Sequence, residues 1–228
     1  MNEQLLSVLR EQDTFAAVEL AAQSGDQVQA AKSLHELGKH LYWKEKDLGA
    51  SVTALRAGAQ IGMTSAETEP SRRIELRSAA KGMCYDLASF TWPGWDEPGI
   101  KVTACDMWAG LDAAKANLRL GEELNKGDLP LSRAYWMLAA HLMAARRWTE
   151  AIAHFERAAK YAESAASRSD ALLSAGFATL TALLERPEDM AAAARLEEIK
   201  AALAPLEHGA DFVSQIETAA AVLAPFGR

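Results

Sequence analysis

The residues with the first claim to chemistry lie in "HELGKH" (His35 to His40). Two imidazoles share a zinc on a helix when they sit at i and i+4 with a glutamate between them as general base. Here the second histidine arrives one residue late. At i and i+5 the rings point about 140° apart around a helix and cannot meet at one metal. His141, His154 and His208 are scattered along the chain with no partnering Asp or Cys motif, which fits packed or surface roles. No G-x-S-x-G, Walker-type loop or G-x-G-x-x-G occurs. Carboxylates are dispersed beside Lys or Arg, as in "KEKD" and "RLEEIK", and read as solvated helix faces. Cys84 and Cys105 lack zinc-type spacing. They read as buried free thiols in a reducing compartment, with a bridge between them as the alternative. The chain thus offers no catalytic set, no metal site and no cofactor site, and a non-enzymatic role is expected.

Composition narrows the partners. The 228 residues are half apolar and carry a net charge of −7. An acidic surface repels phosphate backbones, and the Arg72-Arg73 and Arg146-Arg147 pairs are too small to reverse it, so nucleic acid is not an expected partner. The apolar window Trp136 to Ala145 is too short to span a bilayer. The opening "MNEQLLSVLREQD" lacks a basic segment followed by an apolar one, so it does not read as a signal peptide. A cytoplasmic protein without membrane contact is expected.

The elements that must position any site are helices. Prolines at 70, 93, 98, 130, 187, 205 and 225 fall where apolar helical patterns begin or lapse. Between them the spacing predicts helices over 2–11, 14–24, 27–45, 47–62, 70–90, 103–125, 130–146, 148–165, 168–185, 188–204 and 209–223. No β-branched run alternates at period two, so no sheet is expected. Short links such as "GD" at 25–26 and "RP" at 186–187 make neighbouring helices antiparallel.

Two segments repeat a pattern. In Ser132 to Ser164, Tyr135, Leu138, Ala139 and Leu142 share one helix face; Trp148 then opens a second helix lined by Ala151, Phe155 and Ala158. In Ser33 to Gly62, Leu34, Leu37, Gly38 and Leu41 precede Ala50, Ala54 and Ala57. A weaker copy begins at Leu172, with Ala175-Gly176 in place of Leu-Gly. Ala16 precedes Ala50 by 34 residues. This resembles the tetratricopeptide repeat, whose period is about 34 residues. Ala139 stands where that family favours Gly and Leu142 where it favours Tyr, and no closing Pro follows.

The resemblance implies an all-α, right-handed α-solenoid of four to five hairpins with a terminal helix, forming one domain over 1–228. Small residues such as Gly38, Ala139 and Ala151 would let helices approach closely. It also implies a concave face that binds a protein or peptide. By register, Lys32, His35, Lys39, Tyr42 and Trp43 face outward in one repeat, and Arg133, Trp136, Ala140 and Met143 in the other. Lys39, Tyr42, Trp43, Arg133 and Trp136 are the expected peptide-binding residues, suited to an acidic, partly apolar peptide. The family's Lys and Asn carboxylate clamp is not matched, since Lys39 stands alone.

The period breaks at "FTWPGWDEPGIK" (Phe90 to Lys101). Pro93-Gly94 and Pro98-Gly99 suit the centres of two type II turns, so the insertion at 91–102 reads as a compact loop. Trp92 and Trp95 either plug the gap between hairpins or leave one indole as a recognition wall, with Asp96 facing water at the rim. A small-molecule-binding or catalytic helical protein with a pocket under this loop, using Tyr85, Asp86 and Trp95, or a homo-oligomer formed through exposed aromatics, are the alternatives.

Overall fold

The computed structural model describes residues 3–23 and 25–224. Among them the chain forms eleven α-helices and no strand. They are α1 (Glu3–Glu11), α2 (Thr14–Ala22), α3 (Gln27–His40), α4 (Leu48–Thr68), α5 (Arg73–Phe90), α6 (Ala104–Glu123), α7 (Asp128–Ala144), α8 (Trp148–Ser164), α9 (Arg168–Glu185), α10 (Met190–Leu203) and α11 (Gly209–Leu223). The expected limits at Asn2 and Ser24 and the break at Pro225 lie outside the described residues. No helix among the described residues is long and apolar enough to cross a membrane.

Short polar residues start several helices. The Asp13, Asp26, Asp47 and Asp189 carboxylates each accept a backbone N–H from the first turn that follows. Thr103 and Asp106 cap α6 reciprocally, each side chain bonding the other residue's backbone. The contacts divide the chain into two compact units, Met1–Thr91 with Gly99–Leu124, and Trp92–Pro98 with Asn125–Arg228.

In the first unit, helices pack on their successors in the chain, and α3 also packs on α5. The core joins Leu5, Ala17, Ala21, Leu34, Leu37, Leu41 and Ala54. Glycine decides how closely these helices cross. A Cβ on Gly38 would lie 2.6 Å from Leu55 Cγ, and the Gly38 carbonyl accepts the Ser51 hydroxyl at 2.8 Å. α4 runs on past the expected end at residue 62 because Gly62 serves the crossing, not a stop. A Cβ there would come within 2.9 Å of the Leu76 carbonyl oxygen.

The second unit repeats one turn. α7 and α8 each end on a residue in the left-handed region, Arg146 (φ 58°) and Ala166 (φ 56°). The next N–H reaches back five residues in both cases, Arg147 to Leu142 O and Ser167 to Ala162 O, each at 2.9 Å. This closure satisfies carbonyls that a helix end leaves open. It returns α8 along α7 and α9 along α8, with Ala151, Phe155, Ala158 and Phe177 fully buried between them.

Gly38→Val should destabilise the protein by about 1–3 kcal/mol through overpacking against Leu55. Gly82→Ala should do the opposite, gaining about 0.5–1 kcal/mol of helix propensity, because a Cβ there meets only His35 Cε1 at an ordinary 3.5 Å. Urea unfolding of both variants measures the pair of signs.

Candidate interaction site

The end of α3 does not stop cleanly. Residues Leu41–Glu45 form a π-helical turn, closed where the Lys46 and Asp47 N–H groups both bond Leu41 O. Lys46 takes the left-handed region at φ 54°. The widened turn is held by aromatic packing. Tyr42 is buried and its ring stacks flat on Phe90 of α5, centroids 3.9 Å apart at 4°. Trp43 meets both rings edge-on, at 4.8 Å from Tyr42 and 5.8 Å from Phe90. Its outer face stays 52% exposed. The Lys46 ammonium lies 5.6 Å from the Trp43 ring centre and 6.0 Å from that of Tyr42, within cation–π range. Such π turns recur at functional sites.

Charge around this indole is mixed. Glu45 receives His40 at 3.0 Å and Arg10 at 3.8 Å. Lys39 pairs with Glu36, and the hydrogen bond from its ammonium holds the Glu36 carboxyl below the usual range. Lys44 is exposed. His35, the other histidine of "HELGKH", bonds Asp86 on α5 at 2.7 Å. The two imidazoles therefore serve different carboxylates, as their angular separation requires. Asp86, one of three residues expected under the Trp loop, is occupied by His35.

In the second unit Trp92, Trp95, Trp136, Phe155 and Phe177 form one cluster of rings. Trp92 is 1% exposed and its indole N–H donates to Ala140 O at 3.0 Å. It packs edge-on against Trp95, Trp136 and Phe177, at 4.7, 5.4 and 5.9 Å. Trp92 is thus the plug, and Trp95, half-buried over Trp136 at 5.8 Å, is the more open indole. Asp96 is exposed as expected.

The first expected type II turn is not formed. Pro93–Trp95 is a 3₁₀ turn closed by the Asp96 N–H on Pro93 O at 3.2 Å, with Asp96 itself at φ 49°. Gly94 serves another need, since the Trp92 ring lies where its Cβ would be. Gly99, at φ +83°, has the left-handed backbone a type II turn needs at that position.

Several outward-facing expectations are corrected. Trp136 is 7% exposed, Ala140 and Met143 are buried, and Tyr42 is 2% exposed. Repeat register places these residues on a helix flank, but Phe90 covers Tyr42 and the Trp92 indole covers α7. Trp136 N–H is buried with no acceptor among the described residues, which marks it as a packing residue seated for its ring. Arg133 is exposed yet tied to buried Asp170 at 3.1 Å, which also accepts the Ser167 hydroxyl at 2.6 Å. Lys39, Tyr42 and Trp43 belong to the first unit and Arg133 and Trp136 to the second; Tyr85 and Trp95 are divided in the same way. Cys84 and Cys105 are both free. Burial pushes the Cys84 thiol up to about 11, whereas Cys105, expected to be buried, is exposed near the start of α6. Sequence reasoning missed Phe90 and Lys46, although a lysine three residues after an aromatic pair in "LYWKEK" was a signal. It also missed Trp108, 64% exposed on α6.

Trp92→Ala should cost about 3–5 kcal/mol, the range for a large buried aromatic, and Trp95→Ala about 1–2 kcal/mol, in keeping with its partial burial; thermal or urea unfolding reads both. A pH effect comes from His154, which lies beside Tyr135 with centroids 5.8 Å apart. Burial first, then the Arg157 guanidinium, holds its pKa below the ordinary 6.5. The unfolded chain then takes up the proton first, so stability is full above the ordinary value and falls as pH drops through it toward the lower folded value. Urea midpoints at about pH 7.5 and 5.5 should converge in His154→Gln. No protein-family model, curated protein or solved structure matches the chain.

Proposed function

We propose that this protein is a non-enzymatic interaction module of tetratricopeptide-like hairpins, stacked in a right-handed sense, that binds an acidic and partly apolar peptide. The reading of the hairpins is supported by the small residues at the crossings, such as Gly38 against Leu55, and by the repeated turn that closes α7 and α8. The single observation that carries the binding is Trp43. A tryptophan half open to water, braced from behind by Tyr42 and Phe90 and flanked by the Lys46 ammonium, offers a rigid apolar face beside positive charge. Aromatic anchors of this kind supply most of the free energy at peptide-binding surfaces. Tyr42 contributes by holding Trp43, and Lys39 and Lys46 supply the charge. Two free thiols suit a reducing, cytoplasmic setting.

The exposed Trp108 favours a second reading, self-association through α6. Sedimentation at increasing concentration tests it, with Trp108→Ser expected to abolish any mass dependence.

Glu-rich peptides carrying one aromatic residue should shift and quench intrinsic tryptophan fluorescence. Trp43→Ala should weaken their binding at least about tenfold, a loss of roughly 1.4 kcal/mol, and Lys39→Ala should weaken it less. Circular dichroism guards against unfolding in both variants. Affinity unchanged in a folded Trp43→Ala variant would end the proposal.

A further inference from the structure

The second unit contains an open cleft of about 380 Å³ that the peptide-binding reading does not use. Its floor is apolar and made of small side chains from α8 and α9, namely Ala159, Ala171 and Ala175, with Leu172 as the one larger group. Charge is confined to the rim, where Glu163, Arg168 and Arg195 stand. The volume lies at the small end of the range for ligand sites, about 300–1,000 Å³.

The rim decides the ligand. Arg168 is exposed and belongs to none of the ion pairs formed by the described residues. Among the described residues Arg195 is held only by Glu198, three residues along its own helix, at 3.3 Å with both side chains mostly in water. Exposed pairs of that kind are worth little, so the guanidinium is available to another carboxylate. Arg168 is also the first residue of α9, whose backbone N–H groups receive no side-chain cap; the Ser167 hydroxyl donates to Asp170. The helix start adds partial positive charge on the same side. Asp170 is buried and already engaged by Arg133 and Ser167. Two guanidiniums stand with two carboxylates, Glu163 in the lining and Glu198 on Arg195, so the uncommitted positive charge beside the apolar floor is that of Arg168. A single anionic group fits that balance, and a dianion meets Glu163.

We propose that this cleft binds a free medium-chain monocarboxylate. Its tail lies on Ala159, Ala171, Leu172 and Ala175, and its carboxylate is held by Arg168 with support from Arg195. Guanidinium is the group best matched to a carboxylate, through two parallel N–H bonds. The aliphatic tail displaces water from the floor.

Isothermal titration of the full chain with octanoate, 1-octanol and octylammonium tests this. Octanoate should bind saturably, and the neutral and cationic analogues at least about tenfold more weakly, since a charge-assisted bond is lost or reversed. Arg168→Gln should weaken octanoate about tenfold, and Ala175→Leu, which fills the floor, should weaken octanoate and octanol together. Trp43→Ala should leave octanoate affinity unchanged, so failure here and failure of the peptide reading are told apart. Equal affinity for octanol, indifference to both cleft variants in folded protein, or no saturable binding of octanoate would each overturn the proposal. So would tight binding of a peptide with an apolar last residue when octanoate does not bind.

Discussion

A pair of antiparallel helices buries one flank in its own seam and leaves another apolar flank facing outward, so each pair must be covered by the next. How closely the rods can cross therefore controls everything built on them. In the first unit that distance is set by absent side chains. Gly38 admits Leu55, Gly58 admits Met83 and Leu34, and Gly62 lets α4 approach the backbone of α5. These contacts draw α3, α4 and α5 together, and α3 packs on α5 as well. Tyr42 can then lie flat on Phe90. The support behind Trp43 thus depends on how closely the glycine crossings let these helices approach.

The second unit solves the same problem with bulk. Trp92, Trp136, Phe155 and Phe177 fill its interior in edge-on and stacked contacts. Ordering the irregular segment that carries Trp92 costs roughly 1–2 kcal/mol per residue in backbone entropy. A buried indole with its N–H satisfied by Ala140 is a group large enough to offset much of that. The turn from Pro93 to Trp95 also packs against α11, so the insertion is structural first. Of its two indoles, the one it leaves partly open is Trp95.

Helix positions were largely legible because proline, glycine and apolar spacing act locally. The limits of α9 and α11 match their expected spans, and the joined stretch from Gln27 through the π turn to Glu45 matches as well. Where reading failed, the missing information came from residues distant in the chain. Nothing near Tyr42 reveals that Phe90 covers it, and nothing near Trp136 reveals that Trp92 does. Pro93-Gly94 satisfied the local rule for a type II turn, but the Trp92 ring claimed the space above Gly94. The cleft at Arg168 was equally hidden, since α8, α9 and α10 each contribute to its lining and no single segment carries a motif.

The electrostatics of the two proposed sites follow from the same layout. A chain of net charge −7 repels an approaching anion while the two are still apart, and this slows encounter. Attraction takes over only within a few ångströms of an available cation. Many surface cations are committed: Arg72 to Asp26, Arg77 to Glu67 and Glu123, Lys200 to Glu197 and Glu217. Those pairs occupy their own cations, whereas at the two proposed sites positive charge stands beside an apolar neighbour, Lys46 against Trp43 and Arg168 beside the alanine floor. Charge alone would then select nothing, and neither would apolar surface alone. An anion gains at these places only if it also brings a group that water would rather not hold.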